Sequence, residues 1–166
     1  MLNLHPYKHP ERFYPLLILF FSAGALASAY TAQYVFDLEP CILCLYQRIP
    51  FALAVVVSLV ALFRPDFART IMVILVALFI FEGGLAFYHV GVENHWWAAA
   101  TGCSSTGEIS KSPAEMLKNL NKSIPKPCDE VDWTILGISM AAWNVVFSCF
   151  LAGFTVFGLR QIKTGK

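Results

Sequence analysis

Charge is what this sequence has least of. Only 14% of its 166 residues are charged, and its 12 basic and 11 acidic side chains leave a net charge of +1. An ordinary soluble domain carries about 25% charged residues, so a chain that is 57% hydrophobic has too much apolar surface for its own small core and needs lipid as a second solvent. The same composition excludes a disordered chain. With no basic excess there is no electrostatic footprint for nucleic acid. Internal repeats and low-complexity tracts are also missing, which excludes solenoid and linker architectures. Cysteine is not missing: the chain has five, and their chemistry depends on which side of a bilayer each one faces.

Where charge is absent altogether, membrane spans are expected, because about 20 apolar residues cross the hydrocarbon. No charge lies between Arg12 and Asp37. Lys8 and Arg12 before that run, with Ala27-Ser28-Ala29 inside it, resemble a signal peptide, but the run exceeds the roughly 7–15 residues of such a segment. The apolar run from Ile49 to Phe63 is too short to span alone, so its helix extends back through Arg48 to Cys44. The expected spans are 15–35, 44–63, 70–92 and 133–159, joined by outer loops 36–43 and 93–132. The fold class is an all-α integral membrane protein, a bundle of four transmembrane helices in a single domain (1–166) with a long loop between helices 3 and 4.

Orientation follows from where Lys and Arg collect. Lys8 and Arg12, Arg64 and Arg69, and Arg160, Lys163 and Lys166 mark three short segments, whereas the first loop has only Asp37 and Glu39. Both termini are therefore expected in the cytoplasm and both loops outside. The four lysines of the long loop weaken this bias, but six acids accompany them. Within that loop Ser112-Pro113-Ala114-Glu115 reads as a capping box opening a short helix, either on the membrane surface or in solvent. Trp96, Trp97 and Trp133 bracket the loop where interfacial aromatics belong.

On this topology Cys41, Cys44, Cys103 and Cys128 are outside. Cys149, 16 residues beyond Trp133, is expected about 24 Å deeper as a small buried hydrophobe. Cys41-Ile42-Leu43-Cys44 is the informative pair, because this spacing closes a small ring and a helix N-terminus stabilises a thiolate. Cys44 and Arg48 stand one turn apart, about 6 Å, so a guanidinium beside the thiol could hold a polar or reducible ligand at the lipid boundary. A structural zinc site built from all four outer cysteines is disfavoured, since the second pair has no knuckle spacing and an oxidising compartment favours disulfides; no metal is expected. Taken alone, Cys103 and Cys128 are ambiguous between a structural and a redox pair. In span three Glu82 would cost about 2.5–3.5 kcal/mol at mid-membrane unless paired, protonated or facing a polar cavity, with Asn144 as one candidate partner. His89, two turns on, should lie at the depth of Arg48 as a candidate proton donor.

Pro40-Cys41-Ile42-Leu43-Cys44-Leu45-Tyr46-Gln47-Arg48, the ending Ala86-Phe87-Tyr88-His89-Val90-Gly91-Val92-Glu93 and two further loop cysteines on four spans resemble the disulfide bond formation protein B (DsbB) family, over essentially the whole chain. The resemblance implies a thiol:quinone oxidoreductase of the bacterial inner membrane. In it, a reduced periplasmic thioredoxin-fold partner similar to DsbA attacks Cys103 in a disulfide with Cys128. Cys128 then passes the electrons to the Cys41–Cys44 disulfide through a bond with Cys41, and the freed Cys44 thiolate reduces a quinone (ubiquinone or menaquinone) near Arg48 and His89. A DsbA-like oxidant sits near about −120 mV, and about 30 mV is tenfold for a two-electron couple, so ordinary disulfides are too reducing to recharge it. Two alternatives share parts of this pattern. A disulfide-stapled tetraspan scaffold gives no reason for Arg48 after Cys-x-x-Cys, and vitamin K epoxide reductases usually carry their Cys-x-x-Cys late in the bundle.

Overall fold

The computed structural model describes residues 9–99, 126–131 and 133–162. Four long helices dominate: α1 (Pro10–Val35), α2 (Ile42–Phe63), α3 (Ala68–Glu93) and α4 (Met140–Gln161), with a 3-10 turn at Pro65–Phe67 between α2 and α3. Each is long and apolar enough to cross a membrane; at 1.5 Å per residue even 22 residues reach about 33 Å. Their outer faces stay apolar, with Phe20 74% and Phe63 80% exposed, so these rings face lipid rather than a protein core.

Local sequence sets the helix ends. Pro10 occupies the first turn of α1 with Glu11 beside it, which suits the fixed φ of proline and the positive helix end, so α1 begins five residues before the expected 15. The Cys41 sulfur caps α2 by accepting the Cys44 N–H, and Ser139 caps α4 by accepting the Ala142 N–H. Gly158 of α4 shows how closely the bundle packs at the opposite end: a Cβ there would lie 2.7 Å from the Tyr14 ring and 2.8 Å from Met72. At that end Arg69 also donates to the Ile162 carbonyl at 3.2 Å, satisfying an acceptor that α4 leaves behind. The most extensive contacts are α3 on α4 and α1 on α2, with α2 against α3 joining the two pairs.

The structure corrects two expectations. Helix 4 begins at Met140, not at 133, because Thr134–Ile135 and Ile138–Ser139 form an antiparallel hairpin. Leu136 and Gly137 both have positive φ, 55° and 77°, the geometry of a two-residue turn that matches strand twist. Cys149 is exposed rather than buried; it lies nine residues into α4, about 14 Å along it, on the outward face beside the buried Ser148. The expected loop helix after Ser112 lies outside the described residues.

Candidate redox site

The cysteine pair sits where α2 begins. Cys41 is buried at the N-cap and Cys44 is partly buried one turn in. Their sulfurs are 3.0 Å apart, hydrogen-bonded and not joined in a disulfide. Three groups converge on the Cys41 sulfur: the Cys44 sulfur, to which the Cys41 thiol donates, the Cys44 backbone N–H, which donates to it at 3.3 Å, and His89 Nε2 at 3.5 Å. The hydrogen bond shared with Cys44, with help from His89 and the backbone N–H, holds the Cys41 thiol down at about 5, against the upward push of burial. The helix-end stabilisation that the sequence assigned to Cys44 thus falls on Cys41, because a capping side chain, not one a turn inside, meets the orphan N–H groups.

Cys128 joins this site from the other loop. It is disulfide-bonded and fully buried, and it packs in one apolar cluster with Cys41, Leu43 and Val92. Cys103 lies outside the described residues. Trp97 covers α3 nearby: its ring stacks on Tyr88 at 5.9 Å and its N–H donates to the Tyr88 carbonyl. Gly91 makes this possible, since any Cβ there would run into the Trp97 indole.

Arg48 and His89, expected to act on one ligand, lie against different faces of α2. The Arg48 guanidinium donates to Gln33 Oε1 at 2.6 Å and lies 4.9 Å over the Tyr30 ring. These residues line an open groove of about 350 Å³ between α1 and α2, completed by Tyr34, Leu45, Ile49 and Ala52. Its size fits the range of small-ligand sites, about 300–1,000 Å³, and its mix of apolar walls with one fixed cation fits their chemistry. His89 instead reaches Cys41 on one side and Gln47 on the other, its Nδ1 being 3.3 Å from Gln47 Nε2. Cys44 lies on the helix between the two, one turn before Arg48.

Behind His89 the polar contacts continue. Asn144 of α4 donates to Gln47 Oε1 at 2.9 Å and to Glu82 Oε1 at 2.8 Å, so Glu82 finds the partner a mid-membrane carboxyl requires. Asn144 was expected as a partner of Glu82 and is one, but its bond to Gln47 was not foreseen, and Gln33 and Gln47 were not among the expected site residues. An uncharged amide inside an otherwise apolar span was the available signal, since such a group needs a partner in lipid.

The distances among Cys41, Cys44 and His89 would also allow three ligand atoms, all within 4.8 Å of one another, to face one ion. A dithiol with an adjacent imidazole is equally the constellation of thiol–disulfide exchange, in which the imidazole stabilises the thiolate.

Comparison with known proteins agrees with this chemistry. The family model described as "Disulfide bond formation protein DsbB" matches residues 11–158. The chain is similar to disulfide bond formation protein B of Xanthomonas axonopodis pv. citri (strain 306), 34% identical over 167 residues covering 96% of each chain. It is also similar to the protein of that name from Haemophilus influenzae (strain 86-028NP), 28% identical over 100% of this chain and 97% of the relative. An uncharacterized protein of Rickettsia prowazekii (strain Madrid E) is 30% identical over 91% of this chain and 89% of its own. No solved structure matches the chain. A family match over most of the length, on four apolar helices with a dithiol at the end of one of them, means that this chain belongs to the DsbB family and is a multi-pass membrane oxidoreductase of disulfide bond formation.

Proposed function

We propose that the protein is a protein-dithiol:quinone oxidoreductase of the bacterial inner membrane, reoxidising a DsbA-like periplasmic partner. One observation carries the reading: the Cys41–Cys44 pair stands at the membrane end of α2, one turn from a groove that combines a cation with apolar walls. Cys103 would receive the partner's thiolate in a mixed disulfide, releasing Cys128. Cys128, buried in the cluster that contains Cys41, would then attack Cys41, leaving Cys44 as the free thiolate. The partner's second thiol would then displace Cys103, which would retake Cys128 and release the Cys41 thiolate, so each turnover moves two electrons and two protons from the partner's dithiol, which becomes a disulfide. Quinone, when bound, supplies a lipid-soluble acceptor for both. Arg48, oriented by Gln33 and Tyr30, would hold it by its polar edge, and His89 would stabilise the Cys41 thiolate and hand on its proton. Basic residues at Arg64, Arg69 and Arg160 support cytoplasmic termini and a periplasmic active end.

The test uses purified protein in detergent, a reduced DsbA-like partner and a soluble quinone, with quinone absorbance followed over time. Absorbance is expected to fall with wild type and not with Cys44→Ala. No fall with either, from folded protein and a partner known to be reduced, would remove quinone as the acceptor.

A further inference from the structure

A carboxyl in the middle of α3 is joined by two amides to the imidazole beside the redox sulfur. The contacts run Glu82 Oε1 to Asn144 Nδ2, 2.8 Å, then Asn144 Nδ2 to Gln47 Oε1, 2.9 Å, then Gln47 Nε2 to His89 Nδ1, 3.3 Å, and His89 Nε2 to Cys41 Sγ, 3.5 Å. Three helices contribute, and Glu82, Gln47 and His89 are all buried.

We infer that Glu82, Asn144 and Gln47 are positioning residues that fix His89 as its Nε2–H tautomer, aiming a proton donor at Cys41. The argument is a count of donors and acceptors. The Asn144 amide has two N–H bonds, and both are used, one on Glu82 and one on Gln47. Gln47 therefore presents its oxygen to Asn144 and its NH2 to His89. A nitrogen that faces an NH2 donor must offer a lone pair, so His89 Nδ1 is bare and its proton sits on Nε2. Two acceptors lie on that side: the Cys41 sulfur, and Glu93 Oε1 at 3.9 Å, whose other oxygen is held by the Ser139 hydroxyl at 2.6 Å. The Glu82 carboxyl anchors the far end, and among the described residues its second oxygen has no hydrogen-bond partner. With the amides reversed, the single Asn144 oxygen would have to serve Glu82 and Gln47 at once, and only a protonated Glu82 could donate to it. This inference rests on the redox reading of Cys41 for its purpose, but the tautomer itself does not depend on quinone or partner.

The test is the 15N spectrum of the reduced, full-length protein labelled at histidine in detergent, with the His89 signals identified by their loss in His89→Asn. Wild type is expected to show a protonated Nε2 and a bare Nδ1. Gln47→Met is expected to mix the tautomers and to slow alkylation of Cys41 at pH 6 by about twofold, the loss of thiolate that a rise of about one pH unit from about 5 produces there. Asn144→Leu frees Gln47 to turn and is expected to mix them as well, whereas Glu82→Gln, whose carbonyl still accepts, keeps the wild-type pattern. A protonated Nδ1 in wild type, or an unchanged pattern in folded Gln47→Met, would overturn the inference. Should the core variants not fold, the wild-type spectrum alone decides. If the tautomer is as stated and quinone reduction is absent, the proposed activity fails and this inference stands.

Discussion

Gln33 accepts a 2.6 Å hydrogen bond from Arg48, so the guanidinium in the α1–α2 groove is oriented by a neutral amide. The bond fixes direction without cancelling charge. A carboxylate in the same place would hold the arginine as well and remove most of its field. Gln33→Glu is therefore expected to preserve the fold and lower quinone turnover, read as a rise in the quinone KM.

Arg48→His removes a charge-assisted hydrogen bond, worth about 1.5–3 kcal/mol, or roughly 10- to 100-fold. The loss should fall on steady-state quinone reduction, with single-turnover oxidation of the partner much less affected. Equal loss in both assays would count against a ligand role for the groove.

Cys41 has a thiol at about 5 in place of the ordinary 9.0, and two consequences follow. Its alkylation, followed by mass spectrometry in a Cys149→Ser background, should rise through a midpoint near pH 5, and His89→Leu should move that midpoint upward by removing one of the donors. The folded form binds the thiol proton more weakly than the unfolded form does. The resulting stabilisation is complete above pH 9 and is lost as pH falls through 5. Reduced protein should accordingly melt at lower temperature at pH 5 than at pH 9, with oxidation of the pair removing that part of the dependence.

Gly91→Val places a branched side chain where the Trp97 indole lies. Overpacking of this kind costs about 1–3 kcal/mol, so thermal unfolding in detergent should come earlier and the indole should leave its stack on Tyr88. Gly84→Ala, where a Cβ meets nothing within 4 Å, is the control and should leave the melting temperature near wild type.

Much of the fold could be read from charge alone. The uncharged runs before Asp37 and after Trp133 mark two spans because lipid penalises every unpaired charge. The same rule misled at 133–139, since a short apolar hairpin is as free of charge as a helix, and only the turn at Leu136-Gly137 distinguishes them. Of the candidate site, the cysteine spacing, Arg48 and His89 were conspicuous as residues. Their division between two faces of α2 was not, because 44, 47 and 48 are near neighbours in helical projection and only the placement of α1 and α3 separates them. Gln47 and Asn144 lie 97 residues apart, a distance no local pattern bridges.

The groove at Arg48 is walled by Tyr34, 71% exposed, and Ile49, 54% exposed, both on the belt that faces lipid. A ligand reaching it from the bilayer searches a two-dimensional phase, and the quantity that governs its occupancy is moles per mole of lipid or detergent, not moles per litre. Adding empty micelles at constant total quinone should slow turnover by dilution within the membrane phase, while the dependence on a water-soluble protein partner stays unchanged.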